Sequence, residues 1–499
     1  MLIFILVTLF YANGINGFSI KESLQLASDA GNIASYAAAG QVPGNFQQDA
    51  LLSNPGNYCE YFAFHIPLIG WLGKLLGSYS AAFNVLLAPS VFLQLLSYYL
   101  LARRLITKKL LALIFSLMMV IRIVLPLSES FGIFPDVVPR FLFQVLLPYA
   151  LLFLVHSLPY PGWHWFSTLV FTAILYVHPV SGPVWLAACL LTLLIYAYTQ
   201  HKRDWWKSFV PSLVISIFGV LPFLRAYFSN PPSKLDPVLL ESVHSERYSE
   251  QVRTVGEFIT HDLWAFLIRD FSLASLALAA LFFFAFAFWY LKKQKSVPDE
   301  KWKQTTILLS IWWAAIIVVF LLIPLLDEVL FSRLSGGLMF REIRRNIRYL
   351  IPLFWLSFLF LCAYAMEKLE GAGRSKLVIW LSIAVLSVGY VAGTQPSLNP
   401  AWMRTQACLK EGRFPCKPTP IEEAKYVFYA SLDDFVGTTE SVFPDLSPRY
   451  LADSLIPRYF SLRSVAYTYK DGGAIGSFLP EWWRVTQALI PYPISRKMN

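Results

Sequence analysis

The stretch that decides the fold is Ser80–Lys109, "SAAFNVLLAPSVFLQLLSYYLLARRLITKK". Residues 80–102 carry no charge, and an uncharged apolar run of about 20 residues is long enough to cross the hydrocarbon core of a bilayer. Four cations follow at once: Arg103, Arg104, Lys108 and Lys109. Because such clusters mark the cytoplasmic ends of spans, the stretch predicts a transmembrane helix that ends in the cytoplasm.

The same pattern recurs along the chain and predicts about eleven spans. They lie near residues 1–17, 80–102, 109–126, 138–157, 164–178, 180–198, 208–227, 272–291, 304–325, 349–367 and 376–394. The run 62–76 is too short and interrupted to be counted. The first run lacks the basic start and the cleavage pattern of a signal peptide, so we interpret it as a span and leave open whether residues precede Met1.

The composition of the chain also indicates a protein that crosses the membrane several times. Of 499 residues, 56% are hydrophobic and only 14% are charged. The net charge of +10 would indicate a nucleic-acid partner if the cations formed one soluble face, but most of them sit between apolar runs. They are therefore topology signals, and we expect membrane lipid and no nucleic acid among the partners.

Loops rich in lysine and arginine alternate along the chain with loops that belong to the other side of the membrane. Cations cluster in residues 103–109, 202–207, 292–303 and 368–376, which should all be cytoplasmic. The other side then receives the external loops 18–60, 127–137, 228–271 and 326–348, and everything after about residue 393.

The predicted fold class is an all-α polytopic membrane domain, residues 1–394, followed by a small extracytoplasmic α/β domain, residues 395–499. Alternating stretches such as "YVFYA" and "SVAYTY" favour strands in this tail. Cys408 and Cys416 lie close together there, and in an oxidising compartment they would close a short disulfide loop. No Cys/His pattern has metal-site spacing.

The stretch "SIKESLQLASDAGNIASYAAAG", residues 19–40, carries the first candidate site. Ser19 and Glu22 have the spacing of a capping box, which predicts a helix. Its polar residues recur at helical steps: Gln25, Asp29, Asn32 and Tyr36. We interpret Asp29 as a catalytic carboxylate with Asn32 and Tyr36 orienting the acceptor; the alternative is the water-exposed side of an interfacial helix.

Asp49 follows the predicted turn at Pro43-Gly44, which would bring a second carboxylate towards Asp29. Paired carboxylates divide the work of a base and an orienting group. The alternative is that Asp49 caps the following "ALLS" segment. Glu60 is a third acidic candidate.

The stretch "RLSGGLMFREIRRNIR" breaks the charge pattern, because it places arginines in a predicted external loop. Four of them have helical spacing: Arg341, Arg344, Arg345 and Arg348. Arginine holds phosphate oxygens in a bidentate manner, so we predict a donor-phosphate site. The alternatives are contact with lipid phosphates and an error in the topology.

His178, in the predicted external turn "LYVHPVSGPVW", is a further candidate for orienting the acceptor; the alternative is a solvated turn residue. His65 is interpreted in the same way. Nucleotide, flavin, serine-hydrolase and metalloprotease motifs are absent from the sequence, so no cofactor is identified and a divalent cation stays open. Arg122 is the main charged residue within the predicted spans.

Together these features resemble the GT-C superfamily of integral membrane glycosyltransferases, which includes protein O-mannosyltransferases and lipid A aminoarabinose transferases. The shared layout is a first span, an acidic external loop, about eleven spans, a late arginine cluster and an external C-terminal domain. The motif "SDAGNIASY" sits where the family carries its acidic motif, although Ala30 and Gly31 follow Asp29 where the well-studied families have a second acidic residue.

The resemblance implies a polyprenyl-phosphate or pyrophosphate sugar as donor, with Asp29 as the base and arginines at the phosphate. It leaves the sugar open, and it also leaves open whether the acceptor is a lipid, a glycan or a protein. Two other classes stay open: a transporter or lipid flippase, and a non-catalytic scaffold with this fold. Few ionisable residues lie in the predicted spans, and no inverted repeat is found, which disfavours transport.

Overall fold

The computed structural model describes eleven stretches of the chain and a few single positions. The stretches are residues 1–16, 28–49, 51–55, 63–106, 108–125, 129–200, 205–229, 300–326, 348–368, 373–393 and 400–413. The single positions are 26, 285, 329, 346 and 416. The predicted span 272–291, apart from residue 285, lies outside them.

Thirteen α-helices and one two-stranded sheet are formed by these residues. In chain order they are α1 (Leu2–Asn16), α2 (Ser28–Gln41), α3 (His65–Leu76), α4 (Tyr79–Leu105), α5 (Lys109–Met118), β1 (Ile123–Leu125), β2 (Glu129–Phe131), α6 (Pro139–Ser157), α7 (His164–Leu175), α8 (Gly182–Gln200), α9 (Trp205–Ser229), α10 (Glu300–Leu326), α11 (Leu350–Lys368), α12 (Gly373–Gly393) and α13 (Pro400–Lys410). Short 3₁₀ turns occupy Pro43–Phe46 and Pro161–Trp163.

Four of these helices, α4, α6, α9 and α11, are long and apolar enough to cross a membrane. In α9 only 17% of the most apolar segment is buried by the rest of the protein, so its apolar side chains face outward. Such a surface is unfavourable in water and favourable in lipid. The fold is that of a helical membrane protein.

The predicted span 109–126 is wrong in its second half. Helix α5 ends at Met118, and the chain continues as a β-hairpin in which Ile123 pairs with Phe131 and Leu125 with Glu129. The apolar run continues through the hairpin because apolar side chains alone do not distinguish a short strand from a helix. Arg122 consequently lies between α5 and β1 rather than within a helix.

Helix α6 connects the two buried clusters of the membrane part. Its first turns pack Phe141 and Val145 with α2, α3 and α4, whereas Phe143 and Leu147 pack with α5, α8 and α11. Val138 caps the helix in an extended conformation and Pro139 takes the first helical position, where a proline is favoured. The beginning of α6 is therefore fixed from several sides.

Helix α13 packs against the end of α1. A Cβ on Gly14 would collide with the backbone of Ala401, so the two helices touch at a glycine. Arg404 donates to the carbonyl of Ile15 at 2.6 Å, and Cys416 N–H donates to Asn13 at 3.3 Å. Of the predicted domain 395–499, only α13, the turn that follows it and Cys416 are described, and the predicted strands lie outside the described residues.

Candidate active site

An ion pair joins the beginning of α2 to the beginning of α6. Asp29 lies in the first turn of α2, and Nη2 of Arg140, the second residue of α6, donates to its Oδ2 at 2.7 Å. The two side chains are 33% and 20% exposed, respectively. A carboxylate at a helix N-terminus is favoured by the helix dipole, and here a guanidinium also fixes its position. Asp29 is thus both held in place and accessible.

A second arginine lies against the same aromatic ring. The guanidinium carbon of Arg140 is 4.9 Å from the ring centroid of Phe134, and that of Arg122 is 5.5 Å from it. Burial and the neighbouring Arg140 lower the pKa of Arg122. Its buried Nε has no hydrogen-bond partner among the described residues. Arg122 therefore places beside the Asp29–Arg140 pair a second cation whose Nε could still donate a hydrogen bond.

The β-hairpin sets the position of Arg122. Gly132, directly after β2, adopts φ +103°, and a Cβ there would collide with the backbone of Ile121 and Arg122. The N–H of Gly132 also donates to Oε1 of Gln144 on α6 at 3.3 Å. Only glycine combines this conformation with this close approach. Asp136, a buried acidic residue, lies in the same connection to α6.

One helical turn further along α6, Phe143 touches two other predicted features. Its ring centroid is 6.1 Å from that of His178 and 6.0 Å from that of Tyr349, which directly follows Arg348. Asn346 donates to the carbonyl of Val180 at 3.2 Å. The turn of His178 and the end of the arginine-rich loop are thus neighbours, on the same end of α6 as the Asp29–Arg140 pair.

Arg348 and His178 are both held within this group. Arg348 is 1% exposed, which is rare for an arginine and requires compensating partners. Nδ1 of His178 accepts the N–H of Ser181 at 3.1 Å, which closes the turn between α7 and α8. His178 is therefore half-buried and oriented rather than freely solvated.

Asp49 has the geometry of a cap. It is 1% exposed, and its Oδ1 accepts the N–H groups of Leu51 and Leu52 at 3.0 and 2.9 Å. This is the capping alternative that the sequence left open. A carboxylate oxygen that is buried and accepts two backbone N–H groups has little access to an acceptor hydroxyl.

The exposed polar stripe predicted for α2 is wrong at Tyr36. Tyr36 is 5% exposed and packs in the core with Ile33 and Ala37, because α2 is covered by both α3 and α4. Asn32 is half-buried. Of the predicted stripe, Gln25 lies outside the described residues, and Asp29 and Asn32 keep partial access to solvent.

Four predicted site residues lie outside the described residues: Glu60, Arg341, Arg344 and Arg345. Cys408 and Cys416, by contrast, are described and form a disulfide with their Cα atoms 5.4 Å apart. It closes the turn after α13 beside the end of α1.

His65 begins α3 and is fully buried. Burial lowers the pKa of His65 to about 4, and the nearby backbone of Val137 opposes this only in part. Its ring packs against Phe83, with the centroids 5.8 Å apart. A buried neutral imidazole of this kind is a packing group rather than an acceptor-orienting one.

Sequence reasoning missed Arg140 and noticed Arg122 only as a charge in a predicted span. The signal was present in "VVPRF", where an arginine follows the proline that starts a span on the predicted cation-poor side. The same logic identified the later arginine cluster. No group of three metal-ligating side chains occurs among the described residues.

The fold and this site define the class: a helical membrane protein with an accessible carboxylate and two arginines at one end of its helices. Comparison with protein-family models finds no match, and comparison with curated proteins finds none either.

Proposed function

We propose that this chain is a membrane glycosyltransferase that moves a sugar from a polyprenyl phosphate or pyrophosphate to an acceptor at the extracytoplasmic face. The observation that carries the proposal is the Asp29–Arg140 pair with Arg122 on the same Phe134 ring. Such a transfer needs a carboxylate and cations close together. Asp29 pairs with Arg140, and the guanidiniums of Arg140 and Arg122 both lie against the ring of Phe134.

The chemistry assigns one role to each charge. Asp29 takes the proton of the acceptor hydroxyl, whose oxygen then forms a bond to the anomeric carbon of the sugar. The bond from that carbon to the phosphate oxygen breaks, and the phosphate keeps the electron pair. Cations that meet this developing charge stabilise the transition state, which is the role proposed for Arg122.

Arg140 is proposed to position Asp29 rather than to react. Its bond to Oδ2 fixes the orientation of the carboxylate, which stays one-third exposed to an incoming acceptor. The turn of His178 and the buried Arg348 lie on the same end of α6, so the predicted arginine patch would extend the phosphate site. In this proposal the apolar outer surface of the helices accommodates the isoprenoid.

Orientation follows from the charge distribution. The basic loops predict that the end carrying Asp29 faces away from the cytoplasm in a domain of about eleven spans. The donor must then be lipid-linked, because nucleotide sugars are confined to the other side.

The test is to follow release of polyprenyl phosphate from a panel of lipid-linked sugars by the purified chain. We expect turnover by the wild type, and a loss of about 10²–10⁴-fold in Asp29→Asn. Glu411→Gln is the matched control, since Glu411 forms an exposed ion pair with Arg413 far along the chain from this site. Sugar-lipid translocation without release would overturn the proposal in favour of transport, and binding of donors with no turnover of any would favour a scaffold.

The phosphate role has its own test. Arg122→Gln should weaken donor binding by about 10–100-fold, the amount expected for one charge-assisted contact. Arg344→Ala with Arg345→Ala should weaken it as well. Unchanged donor affinity in both variants would overturn the assignment of the arginines.

A further inference from the structure

A cavity opens at the other end of the helices from Asp29. It has a volume of about 70 Å³ and lies among the last turn of α4, the end of α6, the last turns of α8 and the first turns of α10. It is lined by Val155 in the last turn of α6 and by Leu158 directly after that helix, whereas Arg140 lies in the first turn of α6. At 1.5 Å per residue, Arg140 and Val155 are about 22 Å apart along the axis, so this is a separate site.

The rim of the cavity is basic. Arg104 from the last turn of α4 and Lys303 from the first turn of α10 both line it, and both side chains are exposed. Four uncharged polar residues also line it: Thr192, Tyr196, Gln304 and Thr305. No carboxylate is among the described residues of the lining. The electrostatic character of the rim therefore fits an anion.

The remaining wall is apolar. Val155, Leu158, Ile195, Ile307 and Ile311 form it, all of them buried or half-buried. A soluble anion would leave this wall facing water, whereas a hydrocarbon chain would cover it favourably. The cavity exceeds the roughly 10–15 Å³ that one water molecule requires, but it is too small for a whole lipid.

We propose that this groove binds an anionic phospholipid. The phosphate sits between Arg104 and Lys303, and one acyl chain runs along the apolar wall towards the membrane interior. The two cations lie among the basic loops that predict the cytoplasmic side, where anionic lipids attract such residues. The site is distinct from the proposed active site and does not depend on glycosyl transfer.

The experiment measures lipid binding to the full chain in neutral detergent by titration calorimetry. The probes are dioctanoyl phosphatidylglycerol, dioctanoyl phosphatidylcholine and inorganic phosphate. We expect the anionic lipid to bind, the zwitterionic lipid to bind at least tenfold more weakly, and inorganic phosphate not to compete at equal concentration.

Two paired variants separate the groove from general electrostatics. Arg104→Gln with Lys303→Gln should weaken binding of the anionic lipid by about thirtyfold, from two lost surface cations. The matched control is Lys108→Gln with Lys109→Gln, which removes the same charge from exposed residues at the same end that do not line the cavity. The control should change affinity by less than about fivefold, the value of one cation.

A third variant tests the apolar wall without altering charge. Ile195→Trp fills the groove and should also weaken lipid binding, provided that its melting temperature matches that of the wild type. Equal losses in the two charge pairs would overturn the proposal, and so would equal affinity for both lipids. Competition by inorganic phosphate at equal concentration would do the same, since it would identify a soluble-anion site.

Discussion

Exchanging the charges of the Asp29–Arg140 pair separates a catalytic carboxylate from a structural one. The variant Asp29→Arg with Arg140→Asp keeps an ion pair between α2 and α6 but removes the carboxylate from position 29. A structural pair tolerates this exchange, because attraction does not depend on which helix carries which sign. A base does not, because its position relative to the acceptor changes.

The magnitude follows from the geometry of the pair. Unit charges about 4 Å apart attract by about 4 kcal/mol at an effective dielectric constant of about 20. The side chains are 33% and 20% exposed, so solvent screens part of this attraction, and fully exposed pairs contribute only about 0.2–1 kcal/mol. We therefore expect a coupling free energy of about 1–2 kcal/mol between the two residues.

The assay is a double-mutant cycle with two readouts. Unfolding in mixed micelles should show that Asp29→Arg and Arg140→Asp each destabilise the protein, and that the exchange recovers most of the coupling energy. Release of polyprenyl phosphate should stay at least about a hundredfold below wild type in the exchanged variant. Recovery of turnover together with stability would refute the catalytic reading of Asp29.

Three further perturbations have expected outcomes. Arg122→Gln should slightly stabilise the ligand-free protein in the same unfolding assay, because it removes a half-buried cation whose pKa is lowered by burial and by Arg140; a loss of stability would contradict this. His65 is held at a pKa of about 4, below the roughly 6.5 of an unfolded histidine, so the unfolded state binds more protons between these values and stability should fall as the pH drops from about 6.5 to 4. His65→Phe should flatten that dependence, and an unchanged pH profile would count against it. Replacing Cys408 and Cys416 by serine should cost about 2–3 kcal/mol from the opened short loop, measured as faster limited proteolysis after α13, and equal cleavage rates would contradict the estimate.

Helix positions were predictable wherever one apolar run corresponds to one helix. The run 80–102 became Tyr79–Leu105, and the run 138–157 became Pro139–Ser157, because hydrophobic length and a flanking cap or basic cluster mark both ends. The prediction of one helix over 109–126 was wrong because Ile123 and Val124 form a strand, and apolar residues suit a buried strand as well as a helix. Gly132 lies against the backbone of Ile121 and donates its N–H to Gln144. A hydropathy pattern predicts neither of these contacts.

The candidate site was predictable only one residue at a time. Asp29 stands out in the sequence as a lone carboxylate on a helical polar stripe, and that signal is local. Its partner Arg140 is 111 residues away, so the pairing depends on how α2 packs against α6. Asp49 carried the same local signal as Asp29, and the short-range N–H groups of Leu51 and Leu52 decided its role instead.

The arginines at the two ends of the helices differ in a way that bears on function. Arg104 is exposed beside a basic loop, as a cation that sets orientation should be. Arg348 is 1% exposed, and Arg122 has a buried Nε without a hydrogen-bond partner among the described residues. Burying a guanidinium is costly unless something compensates it, and at Arg140 the carboxylate of Asp29 supplies that compensation. The buried Nε of Arg122 has no hydrogen-bond partner among the described residues, so an anionic ligand would supply there the compensation that Asp29 supplies for Arg140.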